Sequence, residues 1–226
     1  MGWEVLFPIY SALLLLTVVI LNMTRITENM EKASEPATFR SSFVLLSDPF
    51  ILLMVIGIFL YVGAEVSISS GIPLLLEEQF GIDIQKLGVA GSGFFFIAIM
   101  TGRFLGSVIL NWIRAKVFLL ITSILSLLAI GGLFSGNETL TIISIFIVGL
   151  GFANIFPLIF SITVDRTPER ANELSGLMVT AIVGGAILPL IMGFVADITS
   201  LIFVIIVPML AIVYVLYVAL RTMKTV

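Results

Sequence analysis

An acidic side chain lies inside one of the most apolar stretches of the sequence. Glu65 falls within the stretch Pro49–Leu76. Tyr61 and Ser69 lie one helical turn to either side of it, on the same face. An ionisable group at this depth in a membrane costs roughly 3 kcal/mol or more and usually faces a cavity or a partner. We therefore predict that Glu65 lines a polar cavity. The alternative is an interhelical hydrogen bond from a protonated carboxyl group.

Three prolines lie inside apolar stretches. Because proline has no backbone N–H, it cannot bond the carbonyl four residues earlier. The freed carbonyls and their prolines are Ser69 and Pro73, Ala153 and Pro157, and Gly185 and Pro189. Interrupted backbone in a membrane is tolerated only where protein or a water-filled cavity satisfies it. Simple kinking of packed helices would explain each proline singly. The three interruptions together predict a substrate site formed by Tyr61, Glu65, Ser69, Asn154 and Thr180.

A second set of charges is expected near the cytoplasmic ends of the helices. Arg103 lies about two turns before the loop 111–116. An arginine this deep needs acids or helix-end carbonyls nearby, and its planar guanidinium group suits bidentate pairing with a carboxylate. We predict a gating pair between Arg103 and an acid of the other inner loop. A snorkelling arginine is the alternative. The candidate acids are Asp165, Glu169 and Glu173.

These side chains must be held by helices that cross a membrane. Hydrophobic residues make up 60% of the chain and charged residues 11%, whereas a soluble domain carries about 25% charged residues. Apolar stretches of about 20 residues can cross a bilayer as helices, and their continuous character disfavours a barrel. We predict an all-α membrane protein with seven transmembrane helices. The predicted spans are Trp3–Asn22, Pro49–Leu76, Leu87–Trp112, Val117–Phe134, Leu140–Val164, Leu174–Ile198 and Leu201–Leu220.

Several classes of chemistry are excluded by composition. The sequence contains no cysteine and no histidine, which excludes disulfides, thiolate nucleophiles, histidine-ligated metals and imidazole catalysis. The net charge is −3 and no basic block is present, so nothing indicates a nucleic-acid partner. We expect no metal, no cofactor and no enzymatic activity.

Basic residues orient the predicted spans, because Lys and Arg remain on the cytoplasmic side. All Lys and Arg residues except Lys86 fall on one side. This places the amino terminus on the outer side, and the carboxyl terminus on the cytoplasmic side, of the cytoplasmic (inner) membrane. Residues 1–22 then form a single helix, 23–48 a mobile cytoplasmic linker, and 49–226 a six-helix block of two three-helix repeats. An odd number of spans and a long internal linker suggest that the chain lacks a beginning.

Five motifs occur in an order that resembles a known family. They are "YVGAE" at Tyr61–Glu65, "GRFLGS" at Gly102–Ser107, "FPLIFS" at Phe156–Ser161, "AIVGGAILP" at Ala181–Pro189 and "GFVAD" at Gly193–Asp197. The block resembles the carboxyl-terminal six helices of a major facilitator superfamily (MFS) transporter, and more narrowly the fucose/glucose/galactose:proton symporter family. Residues 1–22 would correspond to helix six of that fold. Glu65 is similar to a sugar-facing Gln or Glu of the family, and Asn154 lies in a helix that lines the same cavity.

The resemblance implies secondary active transport of a hexose-type sugar (glucose, galactose or fucose) across the inner membrane. It implies proton-coupled symport, with the sugar, the proton and the lipid bilayer as partners and with a five-helix amino-terminal half missing. The chain alone is therefore expected to insert without transporting. The alternatives are a non-transporting assembly subunit and a receptor-like seven-helix protein. A retinal protein is excluded, because Leu201–Leu220 contains no lysine.

Overall fold

The computed structural model describes residues 6–24, 38–82 and 89–224. Within these ranges, seven helical segments are long and apolar enough to cross a membrane, which confirms the predicted fold class. They are Leu6–Met23, Pro49–Phe80, Ser92–Ile109, Ala115–Gly132, Glu138–Arg166, Pro168–Ile198 and Ile206–Lys224. Arg25, Lys32 and Lys86, which were used to predict the orientation, lie outside the described residues, as does most of the predicted linker.

The chain divides into two compact units, Met1–Pro36 and Ala37–Val226. In the first unit, helix α1 (Leu6–Met23) has no buried residue. Its polar side chains bond within the helix: Thr17 Oγ1 donates to the Leu13 carbonyl at 2.9 Å, and Asn22 Nδ2 to the Val18 carbonyl at 3.0 Å. A helix that is apolar on every side requires lipid or other helices around it.

The second unit begins with a short helix at the end of the predicted linker. Helix α2 (Phe39–Val44) starts at a capping box, in which the Thr38 side chain accepts from the Ser41 amide and the Ser41 side chain accepts from the Thr38 amide. A 3-10 turn, Leu45–Ser47, follows and buries Leu45 against Leu174 and Leu177. The predicted domain boundaries remain predictions, but residues 39–47, within the predicted linker, are helical.

Helix α3 (Pro49–Phe80) lies at the centre of the second unit. Asp48 caps its first turn, since the carboxylate accepts from the Phe50 amide at 2.7 Å, and the helix ends at Gly81, whose φ of 64° favours glycine. One face of α3 is buried at helical spacing against helices α4 (Val89–Ile109), α7 (Ile155–Arg166), α9 (Gly184–Ile198) and α11 (Ile206–Lys224). The buried positions include Met54, Ile58, Tyr61, Ile68, Ile72 and Leu75.

The remaining helices are α4 (Val89–Ile109), α5 (Ala115–Gly132), α6 (Glu138–Phe152), α7 (Ile155–Arg166), α8 (Ala171–Thr180), α9 (Gly184–Ile198), α10 (Leu201–Val204) and α11 (Ile206–Lys224). The sequence predicted three interrupted spans. The structure has an interruption at Ala153–Asn154 between α6 and α7, and a 3-10 turn, Ala181–Val183, between α8 and α9. Pro73 lies inside α3 without interrupting it, and Pro189 lies inside α9, beyond the 3-10 turn rather than at it. The prediction of a third interrupted span is corrected here, because a kinked or unpaired position can be accommodated within a packed helix.

Candidate functional site

Tyr61 is fully buried and joins α3 to the break between α6 and α7. Its hydroxyl donates to the carbonyl of Phe152, the last residue of α6, at 2.8 Å. Its ring meets the Phe152 ring edge-on, with centroids 5.6 Å apart. Tyr61 was predicted to contact substrate directly. With 0% exposure, it is instead placed to hold the break in position.

Arg103 lies beside the same break. Because Pro157 has no N–H, it leaves the Ala153 carbonyl without its helical partner. The Arg103 Nε group donates to that carbonyl at 3.3 Å. A cationic donor at the carboxyl end of a helix is favourable, because the last carbonyls carry partial negative charge. The carbonyl freed by Pro157 is thus paired by a side chain of α4.

Asn154 completes the contact between the break and α4. It is 6% exposed, and its Nδ2 donates to the Gly102 carbonyl at 2.8 Å. Two glycines make room for this approach. A Cβ at Gly102 would lie 2.6 Å from the Ala153 Cβ, and one at Gly106 would lie 2.4 Å from the Asn154 amide. The i, i+4 glycine pair of "GRFLGS" therefore permits close helix packing, as small residues do in membrane interfaces.

Glu65 is half-buried on α3, one turn beyond Tyr61. Its side chain lies on the same face of α3 as that of Tyr61. The helices α3 and α4 are antiparallel here, since Ser92 contacts Ser69, while Tyr61 and Arg103 bind the adjacent carbonyls of Phe152 and Ala153. Side chains lean toward the amino end of their own helix, so those of Glu65 and Arg103 lean toward each other.

These side chains and carbonyls form one group, which we call the helix-break cluster. It consists of Tyr61, Arg103, Asn154 and the carbonyls of Phe152 and Ala153, which hydrogen bonds bring together, with Glu65 one helical turn from Tyr61 on α3. Tyr61, Glu65 and Asn154 were predicted to share one cavity. Tyr61 and Asn154 meet at the break, and the cavity shared with Glu65 stays a prediction. Arg103 was predicted to belong to a separate gate.

Ser69 lies one turn beyond Glu65, and its carbonyl is the one freed by Pro73. The hydroxyl of Ser92, on α4, donates to that carbonyl at 2.8 Å. The Ser69 hydroxyl donates to the Val66 carbonyl of its own helix at 3.0 Å. Ser92 was not predicted as a site residue, although a serine between two glycines in an apolar stretch was an available signal.

Thr180 is not brought to the helix-break cluster. It is exposed, and its hydroxyl donates to the Gly176 carbonyl of its own helix at 2.8 Å. Helices α3 and α9 pack in register, with Gly184 against Phe59 and Leu188 against Gly63. By the same offset Thr180 is level with residue 55, about ten residues or roughly 15 Å from Glu65 along the helix axis. The structure therefore places Thr180 at a different level from Glu65, and its sugar contact stays a prediction.

The predicted gate acids have other neighbours than Arg103. Glu173 forms a salt bridge with Arg170, with distances of 2.5 and 2.7 Å, and the same arginine donates to the Ser41 carbonyl at 3.1 Å. Asp165 accepts from the Ser161 hydroxyl at 3.1 Å, and Glu169 is exposed. In this structure Glu173 pairs with Arg170, and Arg103 binds the Ala153 carbonyl instead; the gating pair stays a prediction.

No group of three Asp or Glu side chains that could hold a metal ion occurs among the described residues. The cationic group of the helix-break cluster, Arg103, and its acidic group, Glu65, are instead suited to hydrogen-bonding a neutral polyhydroxylated ligand, because one supplies donors and the other acceptors.

Comparison with known proteins gives consistent matches. The sequence matches the family model of the Major Facilitator Superfamily over residues 1–182 and, in a second alignment, 54–225. A protein of Helicobacter pylori (strain J99), provisionally named a glucose/galactose transporter, is 29% identical over 221 residues, which cover 96% of this chain and 53% of that protein. The glucose/galactose transporter of Brucella abortus biovar 1 is 32% identical over 148 residues, which cover 65% of this chain and 36% of that protein.

A solved structure supports the same fold. The crystal structure of the MFS transporter FucP in the outward conformation superposes with a TM-score of 0.85 at 18% identity. The match covers 98% of this chain and 55% of that one. The chain thus spans about half the length of the curated relatives and solved structures that it matches.

Proposed function

The chain belongs to the major facilitator superfamily, and we propose that it forms one half of the pathway of a proton-coupled hexose transporter. Its relatives are named as glucose/galactose transporters, and FucP is named a fucose:proton symporter. The proposed substrate is accordingly a hexose-type sugar such as glucose, galactose or fucose. Transport rather than catalysis is proposed as the activity.

The observation that carries this proposal is the helix-break cluster itself. Within membrane-spanning helices, a guanidinium group and a tyrosine pair the carbonyls of a helix break, and a carboxyl group lies one turn from that tyrosine. Charged residues at such depth are costly and mark substrate or ion pathways. Broken helices at the site are characteristic of secondary transporters, whose substrates bind near the membrane midplane.

We propose that Glu65 contacts the sugar. A carboxyl group accepts hydrogen bonds from sugar hydroxyls through two oxygens, and Glu65 is half-buried rather than enclosed. Ser69 is proposed to extend this surface, because it lies one turn further along the same face. Tyr61 and Asn154 are proposed to hold the helices that carry this surface in place, through their hydrogen bonds to Phe152 and Gly102. The gating role of Arg103 with Asp165, Glu169 and Glu173, and a sugar contact for Thr180, remain predictions from the sequence.

We propose that a second helix bundle covers this surface. Alternating access in this superfamily rocks one six-helix half against another around a central site. A bundle presenting the half-buried Glu65 and the exposed Arg103 needs a polar partner on that side, because lipid cannot satisfy these groups. The proposed location is the cytoplasmic (inner) membrane, with Arg114, Arg166 and Arg221 at the cytoplasmic ends of their helices.

Uptake of radiolabelled hexoses into liposomes under an inward proton gradient tests the proposal. The chain co-reconstituted with an amino-terminal bundle of a relative should show saturable uptake, and the 226-residue chain alone should show none above empty vesicles. Glu65→Gln should reduce uptake at least tenfold. Glu138→Gln, the same substitution at an exposed helix start, should leave it unchanged. Equal uptake by Glu65→Gln and Glu138→Gln for every hexose would refute the assigned role.

A further inference from the structure

Helix α8 is packed less closely on α3 than α9, the helix that follows it. Helix α3 contacts α9 and the 3-10 turn Ala181–Val183 extensively, but it contacts α8 only slightly. The close packing of α9 is visible at Leu188, which is buried, since a Cβ added at Gly63 of α3 would lie 2.6 Å from its side chain. The two helices of this predicted span are therefore held to α3 in different ways.

The start of α8 is joined to the start of α3 by residues 39–47, which consist of α2 and the 3-10 turn after it. We call this segment the α2 strap. Leu45 of the strap is buried in one apolar cluster with Ile51 of α3 and with Leu174 and Leu177 of α8. The apolar contact between the first turns of these two helices thus runs largely through one leucine of the strap.

A single arginine adds a polar contact between α8 and the strap. Arg170 lies directly before α8, and its Nη2 donates to the Ser41 carbonyl at 3.1 Å. Its Nε and Nη2 also bind the Glu173 carboxylate, at 2.5 and 2.7 Å. Bidentate pairing with a carboxylate fixes the plane of a guanidinium group. Glu173 therefore orients Arg170 while Arg170 holds the backbone of the strap.

The other end of α8 meets a change in helix type. The turn Ala181–Val183 is a 3-10 helix between α8 and α9, and a 3-10 stretch inside a longer helix often marks a hinge. The residues after this turn are held by α3, whereas the first turns of α8 are held by the strap. Helix α8 thus has a joint at one end and a releasable contact at the other.

We propose that the α2 strap sets the position of α8, and that release of the strap lets α8 rotate as a rigid helix about the turn Ala181–Val183. In the docked state, Leu45 fills the space between α3 and α8, and Arg170 keeps the strap in place. In the released state, the first turns of α8 move away from α3 while α9 stays packed on it. The movement lies within one bundle and does not depend on the proposed transport of sugar.

The size of the movement follows from the length of the helix. Helix α8 has ten residues, so its first turn lies about 15 Å from the joint. A rotation of about 15° would displace that turn by roughly 4 Å over this length. A displacement of this size can be measured as a distance between two spin labels.

Double electron–electron resonance on the full chain in lipid nanodiscs tests the proposal. The sequence contains no cysteine, so introduced cysteines can be labelled selectively. Asn172→Cys reports the first turn of α8, Leu190→Cys reports α9, and Leu128→Cys on α5 is the common reference; all three positions are exposed. Arg170→Gln combined with Leu45→Ala should shift the α8–α5 distance by roughly 4 Å and leave the α9–α5 distance unchanged.

Val44→Ala and Arg166→Gln are the matched controls. Val44 lies on the strap but is 57% exposed, and Arg166 precedes α8 in the same loop but lies over the ring of Phe50, at 4.0 Å. Both controls should keep the α8–α5 distance of the unmodified chain. A shift in either control equal to that of the strap variant would overturn the proposal, because the effect would not belong to the strap contacts.

Two results for the strap variant would also overturn the proposal. One is an unchanged α8–α5 distance, since α8 would then keep its position without the strap. The other is an equal change in the α9–α5 distance, since the bundle as a whole would then be altered. If the combined variant does not fold, Arg170→Gln alone decides by the same criteria.

Discussion

Replacing Gly106 by alanine should destabilise the chain by about 2–5 kcal/mol. A Cβ atom at this position would lie 2.4 Å from both the Nδ2 and the Oδ1 atoms of Asn154. Overpacking of this kind costs about 1–3 kcal/mol. Displacement of Asn154 also removes its hydrogen bond to Gly102, which contributes about 0.6–1.7 kcal/mol within a membrane. The two terms together give the stated range.

The assay is equilibrium unfolding in mixed micelles, with SDS as denaturant and far-ultraviolet circular dichroism as the signal. Gly131→Ala is the matched control, because it adds the same Cβ inside α5, where nothing lies within 4 Å. Alanine is preferred to glycine in a helix, so this control should be unchanged or more stable by up to about 1 kcal/mol.

A double substitution identifies the cause of the loss. Asn154→Ala removes the side chain that the new Cβ would strike, so Gly106→Ala combined with Asn154→Ala should be more stable than the sum of the single changes predicts. The expected coupling is about 1–2 kcal/mol. The packing explanation is refuted if Gly106→Ala behaves like Gly131→Ala, or if the two single effects add without coupling.

Two further predictions use the same unfolding assay. Ser92→Ala should destabilise the chain by about 0.5–1.5 kcal/mol, because the Ser69 carbonyl loses its partner. The control, Ser107→Ala, removes a hydroxyl bonded within α4 and should change stability by less than about 0.5 kcal/mol. Equal losses in the two variants would contradict the role assigned to Ser92. A double-mutant cycle between Arg170 and Glu173 should show measurable coupling that weakens with added salt. The cycle between Arg103 and Glu173 should show no coupling. Coupling in this second cycle would support the gate predicted from the sequence.

The membrane spans and the freed carbonyls could be predicted because both follow from local chemistry. Apolar length predicts a span, and the missing N–H of Pro73 and Pro157 identifies the affected carbonyls at Ser69 and Ala153 without any structure. The donors could not be identified in this way. Ser92 and Arg103 pair with these carbonyls across sequence separations of 23 and 50 residues, and such contacts depend on how α4 rotates against its neighbours.

Axial depth was more predictable than direction. The rise per residue places Arg103 near the inner ends of the helices. It does not show whether the side chain faces the break or the acids of the next loop. The depth of Thr180 was misjudged because the relation between α8, α9 and α3 depends on Gly184 and Leu188 packing against α3. Helix α2 was missed because its capping box has Ser41, rather than a glutamate or glutamine, at the third position.

The two side chains of α4 that pair with freed carbonyls also have a consequence for biosynthesis. Ser69 leaves the ribosome before Ser92, whereas Arg103 leaves it before Ala153. At about 5–20 residues per second, the first carbonyl waits roughly 1–5 s for its donor, and the arginine waits longer for its acceptor. Release of α3 alone from the translocon would leave the Ser69 carbonyl in lipid. We therefore expect α3 and α4 to enter the bilayer together as a hairpin, with α4 kept beside the aqueous channel until the break between α6 and α7 has been synthesised.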